Sequence, residues 1–165
     1  MKGLEDLDPI PLGELMAAAG LQTRVDRKYV LRRADAMALL PRLDPRTRVL
    51  EIAGARTFRY RSVYFDTPEL VSFRLTAHRR RHRFKVRTRT YLDSALCLLE
   101  VKTEGRRGGT VKDRLPYEES DHATAEPGRA FLRAVLGERC TLDLAPTLVT
   151  RYRRSTLHQL SLIHI

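Results

Sequence analysis

The chain has little cysteine. Cys97 and Cys140 are its only two in 165 residues. That is too few for a disulfide framework and points to a reducing compartment. No apolar run is long enough to cross a membrane as a helix, and the first residues lack the basic-then-apolar order of a secretory signal. These absences read as a soluble, cytoplasmic protein. No G-x-x-x-x-G-K-[ST] loop occurs, so a P-loop nucleotide site is excluded. No Ser/His/Asp or Cys/His arrangement stands out. His78, His82, His122, His158 and His164 lack metal-site spacing and read as surface residues. Aromatic residues make up only 7% of the chain, which weakens any surface built on base stacking.

Positive charge is what the chain has in excess. Lys and Arg number 31 against 20 Asp and Glu, a net charge of +11. Such a balance implies an anionic partner: nucleic acid, inorganic or nucleotide phosphate, or an anionic membrane surface. With 42% apolar residues the chain can still bury a core, and its length suits one domain or most of one.

The charge is concentrated and patterned. Between Arg74 and Tyr91 stand Arg79, Arg80, Arg81, Arg83, Lys85, Arg87 and Arg89, with no acid. From Phe84 onward the stretch alternates strictly. Lys85, Arg87, Arg89 and Tyr91 share one face of a predicted strand; Phe84, Val86, Thr88 and Thr90 share the other. A cation row backed by β-branched and aromatic residues reads as a polyanion surface. Arg79–Arg81 fall in the turn before it.

Other segments repeat the device. Residues 1–20 are an acidic lead-in with Pro9, Pro11 and a short helix over Leu12–Ala19, ended by Gly20. Leu21–Leu31 alternates, with Arg24, Asp26 and Lys28 on one face of an expected strand. Arg33–Leu43 reads as a helix that Pro41 ends early. Val49–Ala53 and Thr57–Asp66 are strand candidates. A short helix from Pro68 to about Leu75 follows, with Asp66 or Thr67 as N-cap. After a turn at Asp93–Ser94, Ala95–Thr103 forms a hairpin partner with Glu100 and Lys102 on one face. Gly105–Gly109 is a flexible basic loop. Thr110–Leu115 is a strand with Lys112 and Arg114 on one face, and Tyr117–Thr124 an acidic loop. Pro127–Leu136 is a helix stopped by Gly137. Thr147–Thr156 is a last strand, with Leu148, Thr150, Tyr152 and Arg154 in one parity. The expected class is α+β. A closed or nearly closed antiparallel barrel would gather the basic faces into a tunnel, with short helices flanking it; an open sheet would present a flat basic surface.

Six blocks in order carry a resemblance: Arg24-Val-Asp-Arg-Lys-Tyr29, Ser62-Val-Tyr-Phe-Asp-Thr-Pro68, Lys85-Val-Arg-Thr-Arg-Thr-Tyr91, Leu99-Glu-Val-Lys102, Gly109-Thr-Val-Lys-Asp-Arg114 and Tyr152-Arg-Arg154. Together they resemble the VTC domain, the polyphosphate polymerase domain of the triphosphate tunnel metalloenzyme superfamily, over about residues 20–155. The resemblance implies an antiparallel tunnel barrel, a nucleoside triphosphate such as ATP as substrate, a divalent metal (Mn or Mg), and transfer of the terminal phosphoryl group to polyphosphate. It implies Lys28, Arg87, Arg89 and Lys102 as the groups on the reacting phosphates. Arg24, Arg74, Lys85, Lys112, Arg114, Tyr152 and Arg154 would bind the rest of the substrate. Glu100 would either orient Lys102 or help hold the metal. Relatives are often tied to membrane complexes, so a membrane-protein partner is implied too.

Arg24 stands where tunnel hydrolases carry the first acid of an E-x-E-x-K strand, which suits a polymerase better than a triphosphatase or cyclase. Further strands are expected after the Tyr152 block, so the domain over 21–156 reads as C-terminally truncated and 157–165 as an atypical tail. Two other readings stand beside it: a non-catalytic polyphosphate or phosphate-binding module, and a nucleic-acid binder, for which Tyr91 is the main stacking candidate on the basic face.

Overall fold

The computed structural model describes residues 3–20, 27–105, 109–137 and 143–159. Among these, eight strands run in chain order: β1 (Asp8–Pro11), β2 (Arg48–Glu51), β3 (Phe58–Asp66), β4 (Phe84–Tyr91), β5 (Leu96–Glu104), β6 (Thr110–Tyr117), β7 (Ala145–Arg154) and β8 (Leu157–His158). The α-helices are α1 (Leu12–Gly20), α2 (Arg33–Leu39), α3 (Val71–Ala77) and α4 (Arg129–Leu136). The chain divides into two compact units, Met1–Thr57 with Arg154–Ile165, and Phe58–Arg153. The α+β class expected from the sequence is what forms.

In the first unit, β1 runs parallel to β2, and β2 pairs antiparallel with β8. Pro9 and Pro11 mask β1 in the sequence, because proline cannot donate to a ladder. At the edge of this small sheet that loss is tolerated. Ile10 and Val49 are fully buried. Arg56 ties the N-terminal turn down. Its Nη1 donates to the carbonyls of Leu4, Glu5 and Leu7 at 2.7, 2.9 and 3.0 Å, and its Nε donates to Glu51 at 2.7 Å. Leu157 and His158, at the start of the segment set apart as a tail, supply β8.

The strand expected over Leu21–Leu31 does not appear where it can be seen. Residues 21–26 lie outside the described residues, and 27–32 have no regular structure, with Tyr29 and Val30 exposed. Alternation says which residues would share a face. It does not supply the neighbouring strand whose backbone groups must be paired. The helix read over Arg33–Leu43 ends at Leu39 and passes into a 3₁₀ turn, Leu40–Arg42, around Pro41.

The second unit is organised on a five-stranded antiparallel sheet in the order β6-β5-β4-β3-β7. One face is apolar. Val63, Phe65, Phe84, Val86, Leu99 and Val101 are buried there with Leu132 and Leu136 of α4. Phe131 and Val135 pack at the margin, so α4 turns its apolar stripe to the sheet as its periodicity requires. The other face is the basic one. Among the described residues the sheet is open, with β6 and β7 as its edges, and no closed barrel forms. The basic faces therefore make a surface and not a tunnel in these residues.

The helix after β3 starts later than the sequence suggests, at Val71 and not Pro68. Asp66 still caps it. The buried carboxylate accepts the N–H of Thr67 (2.9 Å), Ser72 (2.8 Å) and Phe73 (2.8 Å), and Thr67 Oγ1 accepts that of Val71 at 3.3 Å. Two of these charge-assisted bonds, to Ser72 and Phe73, go to the helix N-terminus and fix where α3 leaves the sheet. Ser72 Oγ donates to the Phe84 carbonyl at 2.6 Å and anchors the start of β4.

Candidate anion-binding site

The site follows from two facts: a period of two along each strand, and the register between strands. Lys85 faces Lys102, which faces Lys112. Two residues along, Tyr64, Arg87, Glu100 and Arg114 form the next row. Then come Ser62, Arg89, Leu98 and Pro116, and finally Tyr60, Tyr91 and Leu96. Residues two apart on a strand repeat every ~7 Å, and neighbouring strands lie about 4.8 Å apart. The face is thus a ladder: a lysine rung, an arginine rung around one carboxylate, an arginine–serine rung, and an aromatic end.

Glu100 is the hub. It is 0% exposed. Its Oε2 accepts Arg87 Nε at 2.8 Å and Nη2 at 2.6 Å. Its Oε1 pairs with Lys112 and lies 3.4 Å from Arg114 Nε. Burial works against ionisation of Glu100, but Lys112 and Arg87 outweigh it and hold the carboxyl below its ordinary range. Arg87 also donates from Nη1 to the Tyr64 hydroxyl at 2.8 Å. Burial opposes its charge; Glu100 and Tyr64 more than offset that.

Lys102 behaves differently. Burial, then repulsion from Arg87 and Arg89, pushes its ammonium below the usual lysine range, although Glu100 pulls the other way. Lys112 is lowered too, chiefly by burial, despite its bond to Glu100. One anion therefore stands among several cations, and the face keeps a positive surplus in a half-desolvated setting. An incoming phosphate would relieve that repulsion.

Arg89 lies over the Tyr60 ring at 5.8 Å, with its Nε 3.3 Å from Ser62 Oγ. Tyr152 stacks on Tyr60 at 5.1 Å with planes 6° apart, and Tyr91 tilts against the same ring at 5.1 Å. The structure thus brings together Lys85, Arg87, Arg89, Glu100, Lys102, Lys112 and Arg114, with Tyr152 at the aromatic end. Arg74 is exposed on α3, and Arg154 is exposed as the last residue of β7. Lys28 is exposed in the first unit, and Arg24 lies outside the described residues. Tyr60, Ser62 and Tyr64 escaped the sequence reading as site residues. Their shared parity in β3 was the signal, hidden because β3 carries few charges on that face.

The implied divalent metal does not fit the donor set seen here. Both oxygens of Glu100 face cations, and no group of three His, Cys, Asp or Glu side chains able to hold an ion occurs among the described residues. Nor does any helix of those residues have the length and apolarity to cross a membrane.

The family model of the VTC domain matches residues 23–161. The chain belongs to the VTC domain family. The ladder's residues and Tyr152 all lie within the matched stretch of this VTC domain. A solved structure from Vibrio parahaemolyticus, provisionally assigned as an adenylate cyclase, is 10% identical with a TM-score of 0.41, covering 78% of this VTC domain chain and 57% of its own. This chain thus spans little more than half of that one. No curated protein matches.

Proposed function

We propose that this VTC domain binds nucleoside triphosphate and polyphosphate along the ladder and transfers the terminal phosphoryl group to the polyphosphate end. The observation that carries the reading is the in-register run of Lys85, Lys102 and Lys112 beside Arg87, Glu100 and Arg114. Polyphosphate carries a regular row of charges, and guanidinium forks bind its oxygens in pairs. In the transfer, the bond between the γ phosphorus and the β-bridging oxygen breaks. A terminal oxygen of the acceptor chain makes the new P–O bond, so a nucleoside diphosphate leaves and the chain grows by one phosphate. This chemistry asks for alignment and charge neutralisation, not a covalent protein nucleophile. Arg89 and Lys102 are the cations best placed to meet phosphate, because Arg87 is already held by Glu100 and Tyr64. No step is assigned to a metal, since the donor set around Glu100 does not fit one.

The test is direct. Wild-type chain should bind tripolyphosphate, and the Arg89→Ala, Lys102→Ala double variant should bind it at least 100-fold more weakly while keeping its far-ultraviolet circular dichroism. Arg87→Ala is a poorer probe, because it disturbs a buried pair as well as the surface. Unchanged binding in the double variant would sink the ladder assignment. Incubation with ATP and Mn²⁺ or Mg²⁺, followed by gel separation of long anionic products, separates polymerase from binding module. Duplex DNA competing as well as polyphosphate would favour the nucleic-acid reading.

A further inference from the structure

Beside the lysine end of the ladder lies a groove of about 440 Å³. Its apolar walls come from Leu70 and Phe73 of the α3 segment and Leu148 of β7; Lys85 and Tyr64 join it to the ladder. Phe73 is 63% exposed and makes no ring–ring contact among the described residues. The Phe73 ring thus lines the groove with a face open to stack on a planar ligand, beside the cations of the ladder.

The polar groups lining the groove are mostly engaged. The Asp66 carboxylate is taken by three backbone N–H groups, and the Ser72 hydroxyl by the Phe84 carbonyl. Thr147 Oγ1 donates to the Tyr64 carbonyl at 3.2 Å, and the Tyr64 hydroxyl receives Arg87. The Thr150 hydroxyl and the Lys85 ammonium have no partner among the described residues and remain for a ligand. A hydroxyl both donates and accepts, so it reads neither edge of a base selectively.

We propose that this groove takes the nucleobase of a nucleoside triphosphate against Phe73, by stacking, with little discrimination between bases. The proposal rests on the ladder binding the triphosphate, and it names what the rest of that substrate touches. Lys85 belongs to both sites, so a nucleotide can lay its base in the groove and run its phosphates onto the lysine and arginine rungs. The volume suits a base with part of its ribose.

The measurement is equilibrium binding of ATP, GTP and inorganic tripolyphosphate to the whole chain in one buffer. ATP and GTP should bind within about threefold of each other, and both about tenfold tighter than tripolyphosphate, the size of one base–aromatic stack. Phe73→Ala should remove that advantage and leave tripolyphosphate unchanged; Phe73→Tyr should restore it. Phe73 is a surface residue, so the fold tolerates both changes. Tripolyphosphate binding as tightly as ATP to the wild type would overturn the groove assignment alone. So would an undiminished ATP advantage in Phe73→Ala. A wild-type chain that binds neither anion would overturn the ladder reading, and this one with it.

Discussion

Arg87 and Glu100 stand directly opposite one another on neighbouring strands, and Glu100 Oε2 receives two nitrogens of the same guanidinium, at 2.8 and 2.6 Å. With Lys112 and Arg114 on the other oxygen, the carboxylate organises three cations and is itself sealed from water. A buried carboxylate in that position orients the basic groups that would meet phosphate.

Glu100→Gln separates this role from metal binding. Removing the charge leaves Arg87 and Lys112 half-desolvated without a counter-ion. Stability should fall by about 3 kcal/mol, read from urea denaturation at constant m-value. The experiment is done in EDTA. A metal ligand would lose little when no metal is present, so an unchanged midpoint there would defeat the hub assignment. The same pair sets the acid limb of stability. Glu100 has a folded-state pKa below its unfolded one, so its contribution is full above the ordinary glutamate range. It is lost as pH falls through the lower, folded value.

Lys102 and Lys112 act at the alkaline end, and their lowered pKa gives stability the same direction of change with pH. Both are lowered from the lysine value of 10.5 by burial, with neighbouring cations adding to it. Folding therefore carries a cost while they are charged, and stability rises with pH between the folded value and 10.5. Tripolyphosphate binding runs the other way. It should decline with rising pH earlier than ordinary lysines would allow, because these two ammonium groups lose their charge first. Lys102→Arg should extend the plateau upward, since guanidinium stays protonated throughout. A binding curve flat to pH 10 in the wild type would show that neither lysine contributes.

Much of this face could be read from alternation alone. Parity within each strand groups Lys85, Arg87 and Arg89, then Glu100 and Lys102, then Lys112 and Arg114, and the register sets these three groups side by side on one face. The extent of the pairing was not legible. Alternation over Leu21–Leu31 looked as good as that of β4, yet residues 27–32 join no strand. A strand needs a partner, and periodicity does not name one. Close packing was equally silent. Nothing in the sequence marks Gly128, but an added Cβ there would lie 2.1 Å from Leu99 Cδ2 in the core. The sequence offers Asp66 as a cap but does not show that it reaches past four residues to α3, because the chain between them turns through Leu70 in a left-handed conformation. Positive φ at a leucine has no signature in composition.

The densest run of charge in the chain is expected to matter least for short phosphates. Arg79, Arg80 and Arg81 are exposed in the turn between α3 and β4, with no ion-pair partner among the described residues. They stand outside the rungs, whose cations are ordered by strand register and by Glu100. A solvated arginine on a turn gives up side-chain entropy and hydration when it meets an anion, so each contributes little. The triple change Arg79→Ala, Arg80→Ala, Arg81→Ala should therefore shift tripolyphosphate affinity by less than about threefold at 150 mM salt. The double change Arg89→Ala, Lys102→Ala removes fewer charges and should cost far more. Comparing the two at matched ionic strength asks whether position or net charge governs binding. If the triple variant loses as much as the double, the ladder is only a basic surface and its register carries no function.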